Sequence, residues 1–286
     1  MQATLEQHPW NTSFEWDVPN GPFRALTDAQ AQQFSELGFV VLEDAVDLAL
    51  VDEVCDELDA FEARTDAFLK QQESGRFSIA EAGAITFTTH VVMRSAVARA
   101  FSAQPLFVDL CADLIGPDAN LYWDQAVYKK PDKPRRFPWH QDNGYTFVEP
   151  QQYLTCWVPL TDATIGNGCP QVAPRLHRLG TLKHHFVDPL GWECLTEPEE
   201  IMPAPVRAGG VVVFSSLTPH LTGPNTTGAV RKAYILQYAP KGAEILRGEP
   251  ADGPATSRET TDVPERQFAV LRDGERVEPP PLPPRS

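Results

Sequence analysis

His140 and Asp142 stand two positions apart in the run Trp139-His140-Gln141-Asp142-Asn143-Gly144-Tyr145. On a strand, residues i and i+2 point to one face, so an imidazole and a carboxylate would converge there. Taken alone the pair is weak evidence, because 7 His among 39 acidic residues produce about one such spacing by chance. A second cluster changes the odds. His220 follows the apolar run Val211-Val212-Val213-Phe214 and precedes the turn Gly223-Pro224-Asn225, with Arg231 at the start of the next strand-like segment. Two imidazoles and one carboxylate make a facial triad that leaves three positions open on a non-haem Fe(II). A chelating 2-oxo acid fills two of these and O2 the third. The far carboxylate of such an acid needs a cation, and Arg offers planar bidentate pairing where Lys offers a point charge.

Softer signals surround the triad. Lys129, Lys130, Lys133, Arg135 and Arg136 form a basic patch just before it. Read functionally, the patch is a mouth that attracts anions; read blandly, it is a solvated loop. Phe137, Trp139, Tyr145 and Phe147 either line a substrate pocket or pack a β core. His177, His184 and His185 are expected at the surface, with His177 nearest the site.

These residues need a scaffold. Thr27 and Gln30 form a capping box that starts a short helix ending near Gly38, and Gly38–Leu42 reads as a buried strand. Val51, Val54, Cys55, Leu58 and Phe61 recur at helical spacing, which predicts a helix over about 48–72; a second helical stretch covers about 91–115. From residue 120 the texture changes to strands over 121–130, 153–160, 206–215 and 233–238, separated by Gly/Pro/Asn turns. Helices first and strands later predict one α+β domain with a β-sandwich or barrel core. Residues 1–25 read as an N-terminal arm, 26–245 as the single domain and 246–286 as a C-terminal extension ending in the Pro-rich EPPPLPPRS.

Composition narrows the partners. Lys plus Arg total 24 against 39 Asp plus Glu, a net charge of -15, which disfavours nucleic acid and anionic membrane surfaces. The first residues carry no basic, then apolar, leader pattern, and no apolar run is long enough to span a bilayer. Five scattered cysteines without a C-x-x-C pair fit free thiols in a reducing compartment, so a cytoplasmic location is expected.

From about residue 26 to 240 the chain resembles the phytanoyl-CoA dioxygenase family of Fe(II)/2-oxoglutarate-dependent oxygenases. Four ordered blocks carry the resemblance: LTDAQAQQFSELGFVVLEDAV, WHQDNGY, YLTCWVPLTDATIGNGCPQVAPRLHRLGTL, and the stretch Gly209–Tyr238 with Arg231 eleven residues after His220. It implies a double-stranded β-helix (jelly-roll, cupin-like) core flanked by N-terminal helices. It makes His140, Asp142 and His220 the iron ligands and catalytic centre. Arg231 becomes the partner of the 2-oxoglutarate C5 carboxylate, with Thr222 a hydroxyl donor beside it, Trp157 a pocket wall and Lys130 a further co-substrate contact. If the strand is regular, Lys129 then faces away. Trp139, Tyr145, Phe137, His177 and Arg175 are candidates for the substrate pocket. Two departures concern substrate details: Pro174-Arg175-Leu176-His177 replaces a Pro-Gly-Ser-His segment, and Gly209-Gly210 replaces Gly-Asp. Asp142 excludes the related halogenases, which carry a small residue there. The implied reaction is hydroxylation of an unactivated C–H in a small molecule, an anionic one being among the candidates, with release of succinate and CO2. Rival readings are a cupin-like zinc hydrolase or isomerase, which has no use for Arg231, and a non-catalytic binding member of the fold.

Overall fold

A computed structural model of the 286-residue chain describes residues 5–282. Helix α1 (Asp28–Leu37) starts on the expected box, with Thr27 and Gln30 capping each other. It stops at Gly38, whose φ of 86° is left-handed. A Cβ there would lie 2.5 Å from the Thr218 hydroxyl and 2.6 Å from the His177 ring, so only glycine lets the chain turn into the first strand. Helix α2 (Leu48–Gln71) buries Val51, Val54, Leu58 and Leu69 along one stripe. The stretch predicted as one helix over 91–115 is broken. A single turn at Val91–Met93 precedes α3 (Ala96–Ser102), which Ser95 caps, and α4 (Pro105–Leu114). Pro105 has no N–H to continue α3 and is suited to the first turn of a new helix, so the chain bends at Ala103-Gln104.

The strands build two facing sheets. The large one runs β1 (Phe39–Leu42), β13 (Val211–Ser215), β8 (Leu154–Pro159), β15 (Arg231–Pro240), β5 (Ala119–Lys129), β4 (Ile85–Thr89), β3 (Ala80–Glu81) and β2 (Arg76–Phe77). The small one runs β12 (Met202–Pro203), β9 (Pro170–Val172), β14 (His220–Thr222) and β6 (Phe137–His140). Phe137 and Val172 of the small sheet pack with Val127, Trp157, Phe214 and Ile235 of the large one. This is the jelly-roll core. On its other face the large sheet packs Tyr128, Leu154, Cys156, Tyr234, Leu236 and Tyr238 against α2, α3 and α4 in the main hydrophobic core. Outside the two sheets, β7 (Val148–Glu149), β16 (Glu244–Arg247) and β17 (Ser257–Thr260) form a ribbon, and β10 (His185–Val187) with β11 (Gly191–Glu193) a hairpin.

Two boundaries differ from expectation. The strand expected over 206–215 is limited to β13, because Gly209 takes a left-handed φ of 87° just before it. The C-terminal segment is woven into the body of the protein: β18 (Ala269–Arg272) pairs with β5 and with β19 (Glu275–Arg276), and Phe268, Val270 and Leu271 join the main core. Beyond it, the Pro280 and Pro281 carbonyls accept from the Arg99 guanidinium, and the last four residues of the Pro-rich tail, 283–286, lie outside the described residues. No helix among the described residues is long and apolar enough to cross a membrane, and the five cysteines are free thiols.

Candidate metal centre and co-substrate cavity

His140 ends β6 and His220 opens β14, and the two are direct partners in the small sheet. Their rings lie 4.1 Å apart between centroids. Asp142 opens α5 (Asp142–Tyr145), a single turn that swings its carboxylate back beneath both rings. Its Oδ1 lies 3.7 Å from His140 Nε2 and 3.9 Å from His220 Nε2. One donor atom from each residue falls within 4.8 Å of the others. Each imidazole points its Nδ1 at a carbonyl 2.9 Å away, Pro138 O for His140 and Thr218 O for His220. A carbonyl only accepts, so Nδ1 carries the proton and the Nε2 lone pair faces the carboxylate, as a metal ligand requires. Burial, helped by neighbouring His220, holds the His140 pKa well below its usual value and keeps the ring neutral.

One cavity joins this cluster to Arg231. Its walls include Ile85, Phe87, Val127, Trp157, Phe214 and Ile235, with Gln125, Thr155 and Thr222 as further polar groups. Arg231 is 1% exposed, lies 5.1 Å from the Trp157 ring centroid and donates Nη1 to Val127 O at 3.4 Å. Its Nε and Nη2 have no hydrogen-bond partner among the described residues. Burial draws its pKa down to about 9. A buried guanidinium with two idle donors is costly in isolation and suits a carboxylate brought by a ligand. The donor set fits Fe(II), and Arg231 fits the far end of a chelating dicarboxylate.

The sequence profile of the family described as Phytanoyl-CoA dioxygenase (PhyH) matches residues 34–233. The chain belongs to the phytanoyl-CoA dioxygenase family of Fe(II)/2-oxoglutarate-dependent oxygenases. The methylphosphonate hydroxylase of Gimesia maris is 27% identical over 236 residues, spanning 78% of this chain and 85% of that protein. The ectoine dioxygenase of Bordetella parapertussis is 25% identical over 235 residues, 75% of each chain. The solved structure of SnoK, a non-heme alpha ketoglutarate dependent carbocyclase from nogalamycin biosynthesis, superposes with a TM-score of 0.67 at 20% identity, covering 88% of this chain and all (100%) of that one.

Several residues singled out in the sequence lie elsewhere in this family member. Phe137, Trp157 and Thr222 do line the cavity. Tyr145 stands one layer behind, stacked on Phe137 at 6.1 Å and edge-on to His140 at 5.4 Å. Trp139 faces away from the cavity and packs with Ala173, Leu195 and Leu221, the register shift between β6 and β14 letting Phe137 and His140 both face inward. The expected facing of the two lysines is reversed. Lys130 points outward to Glu62 and Asp66 of α2, at 3.0 and 2.6 Å. Lys129 points inward and is buried, with Nζ donating to Arg135 O, Thr222 O and Gly223 O. Burial and the nearby Arg231 push its pKa well down. Arg175 is exposed and pairs with Glu200. His177 is buried away from the cavity, between the Ser35 carbonyl and the edge of Trp16. The basic mouth is neutralised: Lys133 and Arg135 each pair with Glu81 at 3.0 Å, and Arg136 with Glu193.

Other positions near the triad were missed. His184, expected at the surface, is buried and accepts Gln141 N at 2.9 Å, while His185 is exposed. Gln141, between the two H-x-D ligands, donates to Gly180 O and Leu217 O and accepts from Leu182 N. Gly144 packs so tightly on His184 that a Cβ would lie 1.9 Å from its ring, so the ligand segment tolerates no side chain there. Thr155 donates to Asp142 Oδ2 at 2.6 Å. The strand period that places Trp157 inward also places Thr155 inward, so that one could have been found.

Proposed function

We propose that this chain oxidises an unactivated C–H bond of a small organic molecule, consuming 2-oxoglutarate and O2 and releasing succinate and CO2. The observation that carries this reading is the buried, half-idle Arg231 guanidinium in the same cavity as the His140, Asp142 and His220 donors. Those three side chains would hold Fe(II) from one side. Arg231 would pair with the C5 carboxylate of 2-oxoglutarate, regaining the partners that burial takes away, with the Thr222 hydroxyl beside it and Trp157 as a wall. Bound Fe(II), with 2-oxoglutarate and O2, supplies the oxidising power, the decarboxylation of one substrate driving insertion of oxygen into the other. The protein's share is to hold the donors, orient the dicarboxylate and surround the reacting carbon with inert side chains. A zinc hydrolase would leave Arg231 without a purpose.

The substrate reading follows from the walls. The basic side chains near the mouth are spent on Glu62, Asp66, Glu81 and Glu193. Gln125 faces the cavity as a half-buried carboxamide among apolar neighbours. We therefore take the portion of the substrate next to the metal to be uncharged and mainly apolar, with one hydrogen-bonding group for Gln125. Relatives named for methylphosphonate and ectoine support a small molecule.

The test is Fe(II)-dependent binding of 2-oxoglutarate without O2, followed by succinate release when O2 is admitted. The wild type is expected to bind and turn over 2-oxoglutarate slowly even without a second substrate. His140→Ala and His220→Ala should lose metal-dependent binding by at least ~100-fold, the loss of a ligand from a three-residue site. Wild-type succinate release in either variant would overturn the proposal.

A further inference from the structure

We infer that Thr155 is a positioning residue that restricts Asp142 to one ligating oxygen; this rests on the function proposed above. A carboxylate can bind a metal through one oxygen or chelate through both. A six-coordinate centre with three single-atom protein ligands keeps three positions, two for the 2-oxo acid and one for O2. A chelating aspartate would take a fourth, and the co-substrate and O2 would compete for the two left.

The structure turns the two oxygens of Asp142 to different tasks. Oδ1 faces the two Nε2 atoms at 3.7 and 3.9 Å. Oδ2 faces away and accepts the Thr155 hydroxyl at 2.6 Å, the length of a charge-assisted O–H···O bond. Thr155 has little freedom to release it. Its strand β8 lies between β13 and β15, where Thr155 is registered with Phe214 on one side and Gln237 on the other. The residue is 1% exposed and, being β-branched, is stiff at χ1. Two positions on, the same strand carries Trp157 beneath Arg231, so β8 braces both ends of the space that a chelated dicarboxylate would fill.

The experiment compares Mn(II) affinity with 2-oxoglutarate affinity in the presence of Mn(II), by calorimetric titration of the full chain. Thr155→Val keeps the shape and removes the hydroxyl. It should bind Mn(II) as tightly as wild type or more tightly, yet bind 2-oxoglutarate about tenfold more weakly. Thr155→Ala, which asks less of the surrounding packing, should behave in the same way, and Thr155→Ser, which restores a hydroxyl, should recover wild-type affinity. A structural role alone would weaken both ligands together. Binding of 2-oxoglutarate by Thr155→Val or Thr155→Ala within twofold of wild type would overturn the inference, as would a Ser variant no better than Val. If wild type itself showed no metal-dependent binding, the proposed function would fail first, so the two failures are distinguishable.

Discussion

The two faces of the large sheet treat polar groups in opposite ways. On the face toward α2–α4, the hydroxyls that enter the core find partners inside the protein. Tyr234 donates to Asp124 Oδ2 at 2.8 Å, Tyr238 to Ser102 O at 2.7 Å, and Tyr128 to Asp59 Oδ1 at 2.6 Å. On the face toward the small sheet, Arg231 keeps two buried donors idle, and two histidines and an aspartate turn donor atoms toward a common point. The first pattern belongs to a scaffold that completes its own hydrogen bonding. The second belongs to a surface finished by something outside the chain, and it locates the site without reference to any relative.

The largest expected effect separates the faces at Arg231. Arg231→Leu should weaken metal-dependent 2-oxoglutarate binding by about 100-fold, roughly 3 kcal/mol. It should leave the thermal midpoint of the ligand-free protein unchanged or raised, because a buried, poorly paired cation is replaced by an apolar side chain. A clear drop in that midpoint would place Arg231 with the scaffold instead.

How far the sequence revealed this division depends on the kind of signal. The H-x-D spacing, the distal histidine and the arginine beyond the turn survive folding because each depends on local geometry alone, although the tight turn after β6, and not the expected strand alternation, brings Asp142 back to His140. Helix α2 was legible for the same reason, its apolar stripe having a single period. The lysine pair was not: alternation says that Lys129 and Lys130 point opposite ways, but which is inward depends on the phase of all of β5. That phase is shown by Gln125 and Val127 on the cavity and Asp124, Ala126 and Tyr128 behind it. Pro105 was a local signal for the break before α4 that the overall helical periodicity masked. Partners distant in sequence were invisible in principle. Neither the Glu62 and Asp66 contacts of Lys130 nor the docking of β18 onto β5 is encoded in local spacing, and the first is what turns an apparent basic patch into paired charges.

Asp124 is the exception on the scaffold face, and it offers a medium-sized effect. Its Oδ2 accepts Tyr234, Val91 N and Val92 N, but Oδ1 has no hydrogen-bond partner among the described residues and His90 Nδ1 stands 4.0 Å away. Burial outweighs these bonds and lifts its pKa to about 6. A carboxyl whose folded pKa is raised contributes stability below its unfolded pKa and loses it as pH rises through the folded one. Asp124→Asn should therefore gain on wild type by about 1–2 kcal/mol between pH 5 and pH 8, measured by denaturant unfolding at both. The comparison has to be between the two proteins, since half-buried His8 and His90 and buried His177 and His184, each lowered to about 4 chiefly by burial, push stability the other way as pH falls. A pH-independent difference would mean that Asp124 is charged in the fold at pH 5.

The smallest effect uses the two lysines, adjacent in sequence and on opposite faces of one strand. Lys129 Nζ gathers the carbonyls of Arg135, Thr222 and Gly223, and its residue is the registered partner of Arg231. It thus ties the end of β14, two residues past the ligand His220, to the strand beside the proposed carboxylate anchor. The Lys130 ammonium pairs with Glu62 and Asp66 of α2, on the other side of the strand from the cavity. Lys129→Met and Lys130→Met should each lose on the order of 1 kcal/mol of stability, the first by stranding buried acceptors and the second by breaking an ion pair little exposed to solvent. Only Lys129→Met should also weaken 2-oxoglutarate, by roughly threefold to tenfold, because the Thr222–Gly223 backbone beside Arg231 loses its tether. Equal loss of 2-oxoglutarate affinity in both variants would mean that the sheet transmits strain between its faces, and the separation of scaffold from site argued from hydrogen bonding would not hold.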